Sequence, residues 1–267
     1  GMSSVFTQGS LMNLLDLPYL QLDKERWRSL TYKNLQYNGK MSYTSGDLAI
    51  NSFIGAGCVY MNTNLAEKYG VDENALYNKV YDGTWTIDEL YSITKDMDLD
   101  LNNDGKMDRD DRLGTVLCWN DDIMSLLFCS GARITERDKE GIPYIVMNSE
   151  RTMNVISDLF TLAKKSDGIF YGDKEESIEA GLNRAKFVSG TSLFMFGQFT
   201  TAELLREMTD DYGIVPIPKY NKEQENYFST VYAVMRFMAL PYNCQKTDAV
   251  CAVLEEMTFC RSTTRRC

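Results

Sequence analysis

Histidine is missing from all 267 residues of the chain. Without it there is no Ser-His-Asp or Cys-His nucleophile arrangement and no imidazole-based zinc or iron site. Any catalysis would rest on carboxylates. The seven cysteines (Cys58, Cys118, Cys129, Cys244, Cys251, Cys260 and Cys267) show no C-x-x-C spacing. An odd number cannot pair completely within one chain, and most read as buried thiols. Positive charge is also scarce, with 28 Lys and Arg against 38 Asp and Glu and a net charge of −10. The only basic cluster is Arg261, Arg265 and Arg266, so nucleic acid is a disfavoured partner. No run of about 18 apolar residues is present to span a membrane. The N-terminal GMSSVFTQGS lacks the basic flank and apolar core of a signal peptide.

With 44% hydrophobic composition, the chain can bury one large core or two modest ones. Leu11 to Leu22 is apolar but broken at Pro18, Asp23 to Trp27 opens a short helix, and Tyr37-Asn38-Gly39-Lys40 is a hairpin turn. A strand is expected at Cys58 to Met61, then a helix from Asn64 to about Tyr69 stopped by Gly70. Thr86 and Glu89 form a capping box with Trp85 stapled to Leu90. Leu113 to Trp119 reads as a strand, and Asn120, Asp121 and Asp122 cap the helix that follows. Asn148 precedes a helix to Lys165 with Met153, Ile156, Phe160 and Ala163 on its apolar face. After the polar stretch Ser166 to Glu176 comes a short helix, Ser177 to Arg184. Ser192 to Phe196 is a buried strand, and Thr200 to Glu203 a second capping box with Phe199 stapled to Leu204. Tyr212 to Pro218 is a strand that its two prolines confine to a sheet edge. Val231 to Leu240 is a further strand, and Thr247 to Thr258 a helix with Val250, Val253, Leu254 and Met257 inward. Strands alternating with helices predict an α/β fold with a mixed or mostly parallel sheet.

The most specific chemistry is in Asp100 to Asp111, DLNNDGKMDRDD. Asp100, Asn102, Asp104, Asp108 and Asp111 fall at positions 1, 3, 5, 9 and 12 of a calcium loop of the EF-hand or dockerin kind. Gly105 sits where the sharp turn is needed, and the Lys106 carbonyl supplies the backbone ligand. Asp111 in place of the usual Glu shortens the reach at the last position. The alternative is an Asp- and Asn-rich surface loop without an ion. A single loop with no Met-rich helix pair points to a structural staple rather than a sensor.

The order of signals (YNGK, the strand ending at Asn62, GTW-TIDEL, the acidic Gly loop ending in Leu113-Gly114, Phe187 to Gly190, SLFMF and YGIVPIPKY) resembles the extracellular solute-binding proteins of bacterial ABC importers. The resemblance is to the maltose-binding class, in particular a Gram-positive branch with an acidic loop after the TW helix, over roughly Leu11 to Met257. It implies a periplasmic-binding-protein-like α/β fold, here mainly the second lobe, with a mixed sheet flanked by helices. Residues 1–41 are then a remnant of the first lobe and hinge, and 42–218 the second lobe with the calcium-type loop 100–111. Residues 219–258 form a hinge-crossing strand and helix, and 259–267 an atypical tail. The family plan makes this chain truncated at both ends, with weak or no solute binding. A longer precursor would be extracellular and lipid-anchored, its signal absent from this chain.

By the same resemblance, a sugar or oligosaccharide is the expected solute and an ABC permease the partner of the full-length protein. Self-association through an exposed lobe surface is a further expectation. The ligand positions implied are Asp47, Trp119, Asn120, Asp121, Gln198 and Phe199: aromatic faces for a sugar ring, carboxylates and amides for its hydroxyls. Each has a plainer explanation, Phe199 as a staple, Asn120 or Asp121 as a cap and Trp119 as core. A calcium-dependent interaction module is an alternative, although no second DxNxDG copy is present. A glycosidase using Asp47 and Asp121 is the remaining one. The expected protein is not an enzyme.

Overall fold

A computed structural model describes residues 9–27, 29–105, 107, 110–117, 119–165, 182–231 and 236–264. In chain order its elements are α1 (Ser29–Leu35), α2 (Asn51–Ile54), β1 (Gly57–Asn62), α3 (Thr63–Lys68), α4 (Glu73–Tyr81), α5 (Ile87–Thr94) and β2 (Leu113–Val116). They continue with α6 (Trp119–Cys129), β3 (Thr135–Arg137), β4 (Pro143–Ile145), α7 (Glu150–Lys165), α8 (Leu182–Val188), β5 (Ser192–Gln198), β6 (Tyr212–Val215) and α9 (Thr247–Thr264). The chain forms two compact units, one of Gly1–Phe53, Arg137–Tyr144 and Ala233–Cys267, the other of Ile54–Glu136 and Ile145–Tyr232.

The second unit is built on a mixed sheet in the order β2-β5-β1-β6. β1 runs antiparallel to both β5 and β6, and β2 runs parallel to β5. All six residues of β1 are buried, which suits a central strand covered on both faces. β6 is an edge strand, as its following prolines require. The helix α5 has the predicted N-cap, Thr86 Oγ1 accepting the Glu89 N–H at 3.3 Å, but not the reciprocal half of the box, since the Glu89 carboxylate pairs with Lys79 at 3.0 Å. Trp85 and Leu90 share the core with Phe194 and Leu193, and the indole Nε1–H donates to the Pro216 carbonyl at 2.8 Å.

Several boundaries differ from the sequence expectation. β2 stops at Val116, and α6 begins at Trp119, so Asn120, Asp121 and Asp122 lie inside its first turn rather than capping it. The turn after β5 is a 3-10 helix, Phe199–Leu204, and its lock is two residues earlier than Thr200–Glu203: the Gln198 N–H donates to Thr201 Oγ1 at 3.2 Å. Phe199 and Leu204 stay exposed, while Leu205 is the buried residue of that turn. The helix α7 buries Thr152, Val155 and Leu159, leaving Met153 and Phe160 more than half exposed. Both choices fit a 3.6-residue period. The rotation is set by Arg151, which donates to the Ser130 carbonyl at 2.8 Å and stacks 4.5 Å from the centre of the Tyr220 ring. The hairpin β3–β4 was not expected from sequence. Residues 166–181, including the expected Ser166 to Glu176 stretch and the start of the Ser177 to Arg184 helix, lie outside the described residues. Between Val231 and Leu240 the described residues make only isolated bridges, Val231 to Ala56 and Met238 to Thr44.

The first unit packs Leu14, Leu22, Trp27, Met41, Leu240 and Cys251 together. Val250 and Leu254 of α9 join that core, but Val253 and Met257 are exposed, because the helix turns Glu255 inward instead. The Glu255 carboxylate accepts the Trp27 Nε1–H at 2.8 Å and the Gln21 N–H at 3.0 Å, and it pairs with Arg26. The helix continues through Phe259 to Thr264, past the point where the composition shifts.

Among the described cysteines, Cys58, Cys129 and Cys251 are buried and Cys260 is exposed. Burial pushes the Cys58 thiol up to about 12, with the Asp122 charge adding to the effect, and burial likewise raises Cys129 to about 12. Iodoacetamide at pH 8 should therefore label Cys260 in the native protein and reach Cys58 and Cys129 only after denaturation. Rapid native labelling of Cys58, read by peptide mass mapping, would contradict the packed sheet.

Glu255 makes a second prediction. Burial raises its pKa, but the Gln21, Arg26 and Trp27 hydrogen bonds outweigh burial and leave it below the ordinary value. A carboxyl lowered on folding contributes stability fully present above its unfolded pKa and lost as pH falls through the folded one. Glu255→Gln should cost about 1.5–3 kcal/mol at pH 7, the range for hydrogen bonds to a charged group. That gap should close as pH drops below about 4.3. Urea melts from pH 7 to pH 3 check this, and a gap independent of pH would sink it.

Candidate functional site

The sheet's topology creates one polar rim in the second unit. Because β1 is antiparallel to β5 and β2 is parallel to it, the start of β1, the end of β5 and the end of β2 emerge on the same side. Open α/β sheets place ligands at such carboxyl ends. Gly57 pairs with Gln198 in the register, and the Phe199 N–H donates to the Ala56 carbonyl at 3.2 Å. The Tyr60 hydroxyl donates to the Gln198 carbonyl at 2.7 Å, clamping the end of β5 from below.

A second strand of chain seals this rim. The Gly57 N–H donates to the Thr230 carbonyl at 2.9 Å, and the Ser229 hydroxyl donates to the Gly57 carbonyl at 2.9 Å. Ser125 of α6 is hydrogen-bonded to Thr230 through their hydroxyls, 2.5 Å apart. A Cβ at Gly57 would meet Ile217 Cδ1 at 2.9 Å, so a larger residue here would push that side chain aside.

Of the residues implied by sequence, Gln198 and Phe199 sit on this rim, Phe199 with 42% of its surface exposed. Asp121 is exposed in the first turn of α6, which leaves the rim after β2. Trp119 and Asn120 open the same turn, but their side chains lie outside the described residues. Asp47 belongs to the first unit, where its N–H donates to the Arg26 carbonyl at 2.8 Å. Asp122, read from sequence only as a helix cap, is buried in the first α6 turn, where its charge helps raise the Cys58 pKa.

Two concavities of the second unit contain none of these residues. One of about 240 Å³ is lined by Ile87, Asp88, Asp158 and Tyr220. There the Tyr220 hydroxyl donates to Asp158, which with burial pushes the phenol up to about 12. The other, about 600 Å³ and open, carries Glu67, Asp72, Glu73 and Asp211.

The acidic loop lies at the opposite end of β2. It is closed by reciprocal bonds of 3.0 Å between Leu99 and Arg112. Asp100 accepts the Asn103 N–H at 2.6 Å and the Gly105 N–H at 2.8 Å, and Asn102 accepts the Asp104 N–H at 2.9 Å. Gly105 has φ +80, the left-handed turn expected at that position. Asp111 is fully buried and accepts the Leu101 N–H at 2.9 Å. Lys106 and Asp108 lie outside the described residues. Among the described residues no three His, Cys, Asp or Glu side chains are gathered as a metal-holding group. No helix among them is long and apolar enough to cross a membrane.

No protein-family profile matches the chain. No curated protein matches it either. Solved structures do. An ABC substrate-binding protein from Listeria monocytogenes in complex with cycloalternan superposes with a TM-score of 0.55 at 15% identity, covering 94% of this chain and 57% of that one. A maltose/maltodextrin-binding domain from Bdellovibrio bacteriovorus bound to maltotriose gives 0.52 at 16% identity, covering 95% and 58%. A family 1 extracellular solute-binding protein from Bifidobacterium longum subsp. infantis gives 0.55 at 15%, covering 97% and 60%. The chain thus spans about 60% of the length of the structures it matches. Its fold is the mixed α/β, periplasmic-binding-protein-like fold of these solute-binding proteins.

Proposed function

We propose that this chain is the solute-binding component of a bacterial ABC importer and that its solute is a carbohydrate. The observation that carries the reading is the rim, where an exposed aromatic face, Phe199, stands beside the Gln198 amide on a sheet of this fold. Aromatic faces stack on the apolar side of a sugar ring, and amides and carboxylates such as Asp121 take its hydroxyl pairs. The proteins of the same fold from Listeria and Bdellovibrio are described with cycloalternan and maltotriose, which supports the solute class. In this reading the protein breaks no bonds. It holds the solute and hands it to a membrane permease, from an extracellular, lipid-anchored precursor of the Gram-positive type.

Because the chain covers about 60% of the length of its structural neighbours, weak binding is expected, with a Kd on the order of 1 mM, equivalent to about 4 kcal/mol. Calorimetry with maltotriose and longer maltodextrins measures it, and Phe199→Ala should remove what binding there is. Micromolar binding indifferent to that substitution would overturn the assignment of the rim. Release of reducing ends from the same sugars would overturn the reading as a binding protein.

We also propose that the loop 100–111 holds calcium as a structural staple, through Asp100, Asn102, Asp104, Asp111, Asp108 and the Lys106 carbonyl. The donors are all oxygen, which suits a hard cation, and the left-handed turn at Gly105 supports the wrap. A ligand bound only by the folded state stabilises it by mass action, about 2.7 kcal/mol at a hundredfold excess over Kd. Calcium should therefore raise the thermal midpoint relative to chelator, and Asp104→Ala should abolish the rise. An unmoved midpoint in the unsubstituted protein would leave the loop as an acidic turn.

A further inference from the structure

Lys186 of α8 is a charged side chain with 3% of its surface exposed. Its Nζ donates to the backbone carbonyl of Asp111, the last residue of the acidic loop and itself fully buried. An ammonium is taken out of water only where charge and hydrogen bonds replace its hydration. The loop supplies the hydrogen bond through the Asp111 carbonyl, and residues 100–111 carry five aspartates against Lys106 and Arg109.

The side chain also comes from a fixed base. The Lys186 carbonyl accepts the Ser189 hydroxyl at 2.9 Å and the Thr191 hydroxyl at 3.1 Å. Its neighbour Phe187 is fully buried and packs edge-on against Tyr60, with ring centres 6.3 Å apart. The backbone that carries the ammonium is therefore anchored against the core of the sheet.

We propose that Lys186 is a resident counter-cation of the acidic loop. It holds the Asp111 end in place when no divalent ion is bound, and it opposes, by like charge, a divalent ion that enters. The second half rests on the calcium reading; the first half does not. Two consequences separate them. In chelator, the loop stays folded because a cation is already present. In calcium, affinity is lower than the donor set alone would give, and removing the ammonium should tighten binding about tenfold or more at the effective dielectric of a protein surface.

The test uses the full chain with Lys186→Met, Lys186→Gln, which keeps a donor without the charge, and Lys186→Arg, which keeps the charge. Thermal midpoints are taken in EDTA and in calcium, and calcium affinity is read by competition with terbium luminescence. The expected result is a lower midpoint in EDTA for the Met and Gln variants, restored by calcium, with tighter calcium binding, while the Arg variant follows the unsubstituted protein. If the Gln variant matches the unsubstituted protein in EDTA and in affinity, the proposal is overturned. Should no variant bind calcium while Met and Gln still melt low in EDTA and Arg does not, the calcium reading and the opposing role fail and the counter-cation stands. Should all bind calcium with equal affinity, the opposing role fails and the calcium reading stands.

Discussion

The pairing of β1 with β5 is the constraint from which the larger unit takes its form. Six consecutive buried residues in β1 leave its backbone groups no access to water, so both edges of the strand must be paired. β5 satisfies one edge and β6 the other. The antiparallel register then puts Gly57 opposite Gln198, and everything on the rim follows from that choice. A slip of one residue would turn Tyr60 to the opposite face and take its hydroxyl away from the Gln198 carbonyl that it now bonds.

Where structure depends on near neighbours, the sequence was legible. The Thr86–Glu89 cap, the positive φ values of Asn38 and Gly39 in the YNGK turn, and the stop at Gly70 are each settled within a few residues. The edge position of β6 was readable for a related reason, because Pro216 and Pro218 remove donors that an interior strand would need. In these cases the local chemistry admits one answer, and tertiary contacts do not compete with it.

Helix rotation was not legible in the same way. In α7 and α9 two apolar faces one residue apart both satisfy the helical period, and Ile156 and Leu254 belong to either. The choice was made by polar side chains reaching far along the chain: Arg151 to Ser130 and Tyr220, and Glu255 to Arg26 and Trp27. Periodicity weighs hydrophobic residues and is blind to a single buried polar contact that outweighs a methionine left in water. The candidate site was half legible for the same reason. Gln198 and Phe199 follow from where a strand ends, whereas Gly57, Asp122 and Thr230 become neighbours only through pairings more than sixty residues apart in sequence.

The positions of the acidic loop and the rim limit what each can do for the other. The loop enters β2 at Leu113 and the rim begins beyond Val116, so the two sites lie at opposite ends of a strand of four residues, about 13 Å at the rise of an extended chain. A cation at the loop is therefore placed to contribute to solute binding only through what it does to β2. That strand is buried throughout and paired to β5, and close-packed interiors transmit displacement better than they absorb it. Holding the entry to β2 thus fixes where α6 starts, and with it the exposed Asp121. On the proposed reading the loop acts by position, setting the height at which one side of the rim emerges from the sheet.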